Sequence, residues 1–164
     1  MVACVIAFSA IIGSFLNVCI YRIPREESLW SPRSHCPSCQ HIIPWYDNIP
    51  LISYTILKGR CRFCRIFISP QYPVVEAFTA LAGWAVYARY GLTPEGIFYA
   101  LFVFVLIALT GIDLEHQILP NVMTYPLTVA GWLISFMWDR VTPTQALLGS
   151  VIGAGSLYLI AWGS

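Results

Sequence analysis

The sequence predicts an all-α polytopic membrane protein of about five transmembrane helices, with a cytoplasmic metal-binding loop after the first. Three observations carry this prediction. Mean hydropathy is +0.70, and 58% of residues are hydrophobic while only 10% are charged, against about 25% charged in a typical soluble domain. The apolar residues gather into runs of the length needed to cross about 30 Å of hydrocarbon. The long polar segment between the first two runs holds Cys36-Pro-Ser-Cys39 and, after 21 intervening residues, Cys61-Arg-Phe-Cys64.

The first run, residues 2–21, carries no charge until Arg22. It lacks the basic leading region of a signal peptide and is followed by Arg22 and Arg25, so it reads as an uncleaved span ending in the cytoplasm. Gly13 and Ser14 place small side chains in hydrocarbon, where they favour close helix packing. Asn17 costs more to bury and is a candidate to support a site near the cytoplasmic end.

Residues 22–73 form the polar loop, punctuated by seven prolines from Pro24 to Pro73 that disfavour long helices and fit a metal-stapled, turn-rich module. Its Trp45-Tyr46-Asp47-Asn48-Ile49-Pro50-Leu51 stretch fits either a hairpin core between the cysteine pairs or a segment lying on headgroups. Residues 74–164 form the transmembrane part. A second span runs from Val74 to about Tyr90, with Glu76 one turn inside it. Residues 91–95 turn outside, Gly96–Ile112 returns as a third span, Val122–Trp138 is a fourth, 139–143 turn outside and Thr144–Trp162 is a fifth. This count places the loop and Asp113 on one side of the bilayer. Seven of the nine basic residues lie between 22 and 65. Beside apolar spans such a cluster marks the cytoplasmic side, and no nucleic-acid partner is expected.

Each cysteine pair can supply two sulfurs from one tight turn. Four thiolates complete the tetrahedral shell of Zn²⁺ and leave no open position, so Cys36, Cys39, Cys61 and Cys64 predict a structural ion. Two disulfides or four unrelated thiols are the alternatives. Arg60, Arg62 and Arg65 are placed to favour the thiolates. Cys4 and Cys19 read as inert buried thiols.

Asp113 follows seventeen uncharged residues, at the membrane edge. An ionisable group there is either a marker of the interface or a functional carboxylate. Aspartic-protease chemistry needs a second carboxyl within a few ångströms. Glu115 points nearly opposite on a helix, Glu95 and Asp139 fall on the far side, and Asp47 and Glu76 remain, with Glu76 the better anchored. His116, three positions on, is within reach of Asp113.

Four stretches, GSFLNVCIYRIP at 13–24, PRSHCPSCQHIIPWYDNIPLISY at 32–54, GRCRFCRIFISPQYPVVE at 59–76 and IDLEHQILPN at 112–121, resemble the bacterial type IV prepilin peptidases (prepilin leader peptidase/N-methyltransferases). The resemblance implies a multi-pass protein of the bacterial inner membrane, an aspartic endopeptidase cutting basic leaders from type IV prepilins and the pseudopilins of type II secretion at the cytoplasmic face. It implies N-methylation of the new N-terminus with S-adenosylmethionine as donor. The family's first catalytic aspartate maps onto Asp113 and its metal ligands onto Cys36, Cys39, Cys61 and Cys64. Leu119-Pro120-Asn121 stands where many members have Leu-Pro-Asp. The family's second catalytic aspartate, in a Gly-x-Gly-Asp motif, is not in this sequence. The expectation is therefore a chain truncated before that motif, nearly inactive alone, or a membrane-anchored zinc-binding scaffold.

Overall fold

The computed structural model describes residues 1–31, 33–137 and 141–163. The described residues are helical, with two isolated antiparallel bridges and no strand among them. They form two compact units, Met1–Pro120 and Asn121–Ser164.

The first unit contains α1 (Val2–Arg22), a short α2 (Ile52–Ile56), α3 (Gln71–Tyr90) and α4 (Pro94–His116). The long helices α1, α3 and α4 pack together. Helix α1 buries Ser9, Ala10, Gly13, Leu16, Asn17 and Ile20, a stripe at three-to-four-residue spacing that faces its neighbours. Helix α3 answers with Val75, Glu76, Thr79, Ala80 and Gly83, and α4 with Phe104, Ala108, Leu109 and Ile112.

Small residues bring these backbones together. A Cβ on Gly13 would lie 2.8 Å from the Glu76 Cα, so only glycine allows α1 and α3 to approach this closely. Gly83 receives the Ser9 side chain, and Gly111 receives Ile20. Small residues at such crossings are the usual solution where surrounding lipid is as apolar as the interface. Asn17 adds a polar tie, donating from Nδ2 to the Tyr72 carbonyl at 3.0 Å and to that of Gly13 at 3.3 Å. The outer faces expose Phe8, Phe78, Leu81 and Leu101, as suits hydrocarbon.

Among the described residues two segments, Val2–Arg25 and Pro94–His116, are long and apolar enough to cross a membrane. Helix α3 starts at Gln71, not Val74, with Pro73 accommodated in its first turn. Thr93 caps α4, its side chain accepting from the Gly96 N–H at 3.0 Å. Gln117 closes α4 in a left-handed conformation, its N–H bonded to the Asp113 carbonyl at 2.8 Å.

The second unit pairs α5 (Asn121–Ile134) with α6 (Pro143–Gly163). The expected span 122–138 is shorter in the structure: α5 has 14 residues, about 21 Å at 1.5 Å each. It gives way to turns in which Ser135 Oγ donates to the Trp132 carbonyl at 2.6 Å. Trp138, Asp139 and Arg140 lie outside the described residues, so part of the expected turn at 139–143 does too.

Candidate metal centre and the cavity beside it

The two cysteine pairs fold into matching knuckles. In the first, the Cys36 N–H bonds to the His41 carbonyl and the Gln40 N–H returns to Cys36, at 3.0 and 2.9 Å; in the second, Cys61 and Ile66, then Arg65 and Cys61, do the same at 2.9 and 3.1 Å. Gln40 (φ 58°) and Arg65 (φ 60°) take the left-handed conformation at equivalent points, just after the second cysteine. The bridges His35–Ile42 and Arg60–Phe67 close the turns, and the His41 and Phe63 rings stack across them with centroids 3.8 Å apart.

This folding brings all four sulfurs within 4.8 Å of one another. Cys36 and Cys64 Sγ are 3.7 Å apart, and metal–sulfur bonds of about 2.3 Å in a tetrahedron give edges of about 3.8 Å. All four are free thiols, so the disulfide alternative is not what this fold adopts, and the set could hold a metal ion. Burial works against ionisation of Cys36, yet the N–H groups of Cys39 and Ser38 and the thiols of Cys39 and Cys61 bring it down to about 7. Cys39 receives the His41 N–H, but partial burial and its neighbouring thiols leave it pushed up to about 11. The expected help from arginines is not what lowers Cys36. Arg60 lies 4.4 Å over the Phe67 ring, and Arg62 is committed to Asp47. Of the two remaining cysteines, Cys19 is buried as expected, while Cys4 is exposed on the outer surface of α1.

Beside the knuckles lies a cavity of about 930 Å³, walled by α1, the lobe, the start of α3 and the end of α4. Asn17, Tyr72, Glu76, Glu115 and His116 line it together with Cys36, His41 and Cys61. Glu76 is 7% exposed. Its Oε2 accepts the Leu51 N–H at 2.8 Å, and the Ser14 hydroxyl donates to the same carboxylate. Asp47, the other carboxylate the sequence placed nearby, is gripped by Arg62 through Nε and Nη2 at 2.6 and 2.5 Å. That guanidinium holds the Asp47 carboxyl below the usual carboxylate range.

Asp113 is exposed in the last turn of α4 and is not among the residues lining the cavity. The residues two and three positions on, Glu115 and His116, line it instead, with His116 Nε2 3.6 Å from Glu115 Oε2. His116 thus sides with Glu115 and not with Asp113. Sequence reasoning missed Tyr72, Glu115 and His116 as cavity residues. The helical offset of 115 from 113 was the available signal.

Residues 7–90 match the family described as Bacterial Peptidase A24 N-terminal domain, and residues 100–163 match the Type IV leader peptidase family. The chain belongs to the type IV leader peptidase family. A prepilin leader peptidase/N-methyltransferase of Myxococcus xanthus is 44% identical over 142 residues, 87% of this chain and 42% of that relative. Proteins of the same name from Aeromonas salmonicida and Pseudomonas aeruginosa are 39% and 34% identical, covering 96% and 98% of this leader-peptidase-family chain. The chain spans 62% and 63% of their lengths. No solved structure matches it.

Proposed function

We propose that this chain acts in removing basic leaders from type IV prepilins and pseudopilins, with Asp113 supplying one of the two carboxyl groups of an aspartic endopeptidase. The observation that carries the reading is the placement of an exposed aspartate at the end of an apolar, membrane-length helix, in a chain related along its length to leader peptidases. A substrate with a basic leader and an apolar helix would present its scissile bond at that depth. One carboxylate would activate water for attack on the carbonyl while the protonated partner polarises it. Five spans, the inner membrane, and a cytoplasmic lobe and Asp113 complete the reading, supported by the basic residues clustered between 22 and 65.

Cys36, Cys39, Cys61 and Cys64 would hold a structural Zn²⁺, whose closed thiolate shell pins the lobe and does no chemistry. S-adenosylmethionine would supply the methyl group for N-methylation. The cavity suits such a donor, having the rings of His41 and Tyr72 and the carboxylate of Glu115 in its walls. Cleavage at Asp113 and donor binding in the cavity then lie on different sides of the end of α4. A scaffold without catalysis is the second reading, and the engagement of both Glu76 and Asp47 favours it.

The test substitutes residues 1–164 for the aligned part of the Aeromonas salmonicida relative and assays prepilin cleavage and methyl-donor binding. Cleavage is expected, falling at least about a hundredfold in Asp113→Asn with donor binding unchanged. Undiminished cleavage by Asp113→Asn would overturn the assignment, and no cleavage by the parent chimera would favour the scaffold.

A further inference from the structure

We propose that the metal lobe docks on anionic lipid headgroups through an apolar and basic face formed by α2 and the second cysteine knuckle. The proposal rests on the membrane reading above and adds a lipid-binding surface to it. Helix α2 turns its polar and aromatic residues inward. Ser53 is buried, donating to the Tyr46 carbonyl at 2.8 Å and accepting the Ile49 N–H at 3.2 Å. Tyr54 reaches the Ile68 carbonyl at 3.3 Å and packs against Gly59. The opposite side is left with Ile52 and Ile56, one turn apart and 57% and 70% exposed.

The knuckle that α2 packs against adds an exposed ring at the wall of the cavity. Phe67 is 73% exposed, with the Arg60 guanidinium over its ring. Exposed Lys58 lies between α2 and Arg60. Exposed aliphatic side chains followed by lysine and arginine, with an exposed aromatic ring in the same lobe, are the composition of a headgroup-level contact. The apolar groups enter the acyl boundary and the long cations stay with the phosphates.

Charge selects the occupant. Beyond Arg22, which is buried at the end of α1, residues 25–65 carry six cations against three carboxylates, and Arg62 occupies one of those, Asp47. Such an excess complements an anionic leaflet. Geometry selects it too. The lobe leaves α1 at Arg22 and re-enters α3 at Gln71, and the Asn17–Tyr72 hydrogen bond holds these two helix ends together. A lobe hung from the ends of two packed membrane helices stays within reach of the headgroup layer.

Hydrogen exchange of the full chain in nanodiscs tests this, comparing phosphatidylcholine alone with phosphatidylcholine mixed with phosphatidylglycerol. Amides of residues 51–60 should exchange about tenfold more slowly over the anionic discs. Ile52→Ser/Ile56→Ser and Lys58→Glu/Arg60→Glu should each abolish the difference while bound metal stays stoichiometric. If a variant loses its metal, high salt on the unaltered protein replaces it, and should remove the protection. Equal protection in both lipids, protection that survives charge reversal or salt, or protection appearing only with added prepilin peptide overturns the proposal. Protection of residues 2–22 and 94–116 in both discs reports the membrane reading separately.

Discussion

The Leu51 backbone N–H is held by the Glu76 carboxylate at 2.8 Å, so a buried acid of the helix bundle grips a strained turn of the metal lobe. Leu51 has φ 61° and ψ −43°, and the Ile52 N–H reaches back to the Pro50 carbonyl at 2.6 Å. This is a γ-turn with a positive-φ centre, a rare and strained conformation. Its persistence at a leucine requires the surroundings to over-determine it, and Glu76 on the N–H, with Thr55 on the carbonyl, does so.

Glu76→Ala should therefore cost about 1–3 kcal/mol, because it strands a partly buried N–H. Glu76→Gln keeps an acceptor and should cost less. Leu51→Gly should stabilise by about 1 kcal/mol, since glycine takes positive φ without strain. Thermal unfolding in detergent measures all three, and a Glu76→Ala protein as stable as the parent would refute the grip.

Replacing Cys61 with serine, or chelating the metal, should unfold the lobe and leave the helices standing. The lobe is held by its knuckles and the ion they could bind, whereas α1, α3 and α4 pack on one another. Binding free energy in such a site is folding free energy. Bound metal should fall from one ion per chain to none, and proteolysis should open within 22–70 with little change in far-ultraviolet circular dichroism.

Gly13→Leu should destabilise the bundle by about 1–3 kcal/mol, the usual cost of overpacking. The added atoms meet the backbone of α3 at Glu76 and the Thr79 side chain, neither of which can rotate away cheaply. Gly149→Ala is the control, because nothing lies within 4 Å of its would-be Cβ. It should be neutral or slightly stabilising, as alanine is the better helix former. Equal melting shifts for the two variants would contradict this packing.

The Asp47–Arg62 pair sets an acid limit on the lobe. The folded Asp47 carboxyl titrates below its unfolded value of 3.8. Its contribution is therefore complete above that value and disappears as pH falls through the lower, folded one. Arg62 is 45% exposed, so solvent screening keeps the effect small. Asp47→Asn should flatten the acid limb of stability below about pH 4, measured as melting temperature against pH. It should leave stability above pH 5 changed by no more than a pair this exposed can contribute.

The paired cysteines and the apolar runs were legible because their signals are local. Two CxxC turns present sulfurs in a geometry set by a few residues, and an apolar run of membrane length declares itself by composition alone. Gly13, too, announced a helix contact, and the structure supplies its partners in α3. The prolines kept long helices out of 22–70, although α3 starts at Gln71 and takes Pro73 into its first turn. They did not reveal α2, whose five residues are too few to show a period and which is held by Ser53 and Tyr54 making contacts outside it.

The sequence alone determined an all-helical chain with a four-cysteine lobe and an aspartate at the end of an apolar helix. Only the tertiary structure decided that Glu76 is spent on Leu51, that Asp47 belongs to Arg62, and that Glu115 and His116, not Asp113, face the cavity. Those outcomes join residues far apart in the chain, or turn on which side of a helix meets a neighbour. Composition and spacing fix what a segment can be, and the packing of segments fixes what each side chain touches.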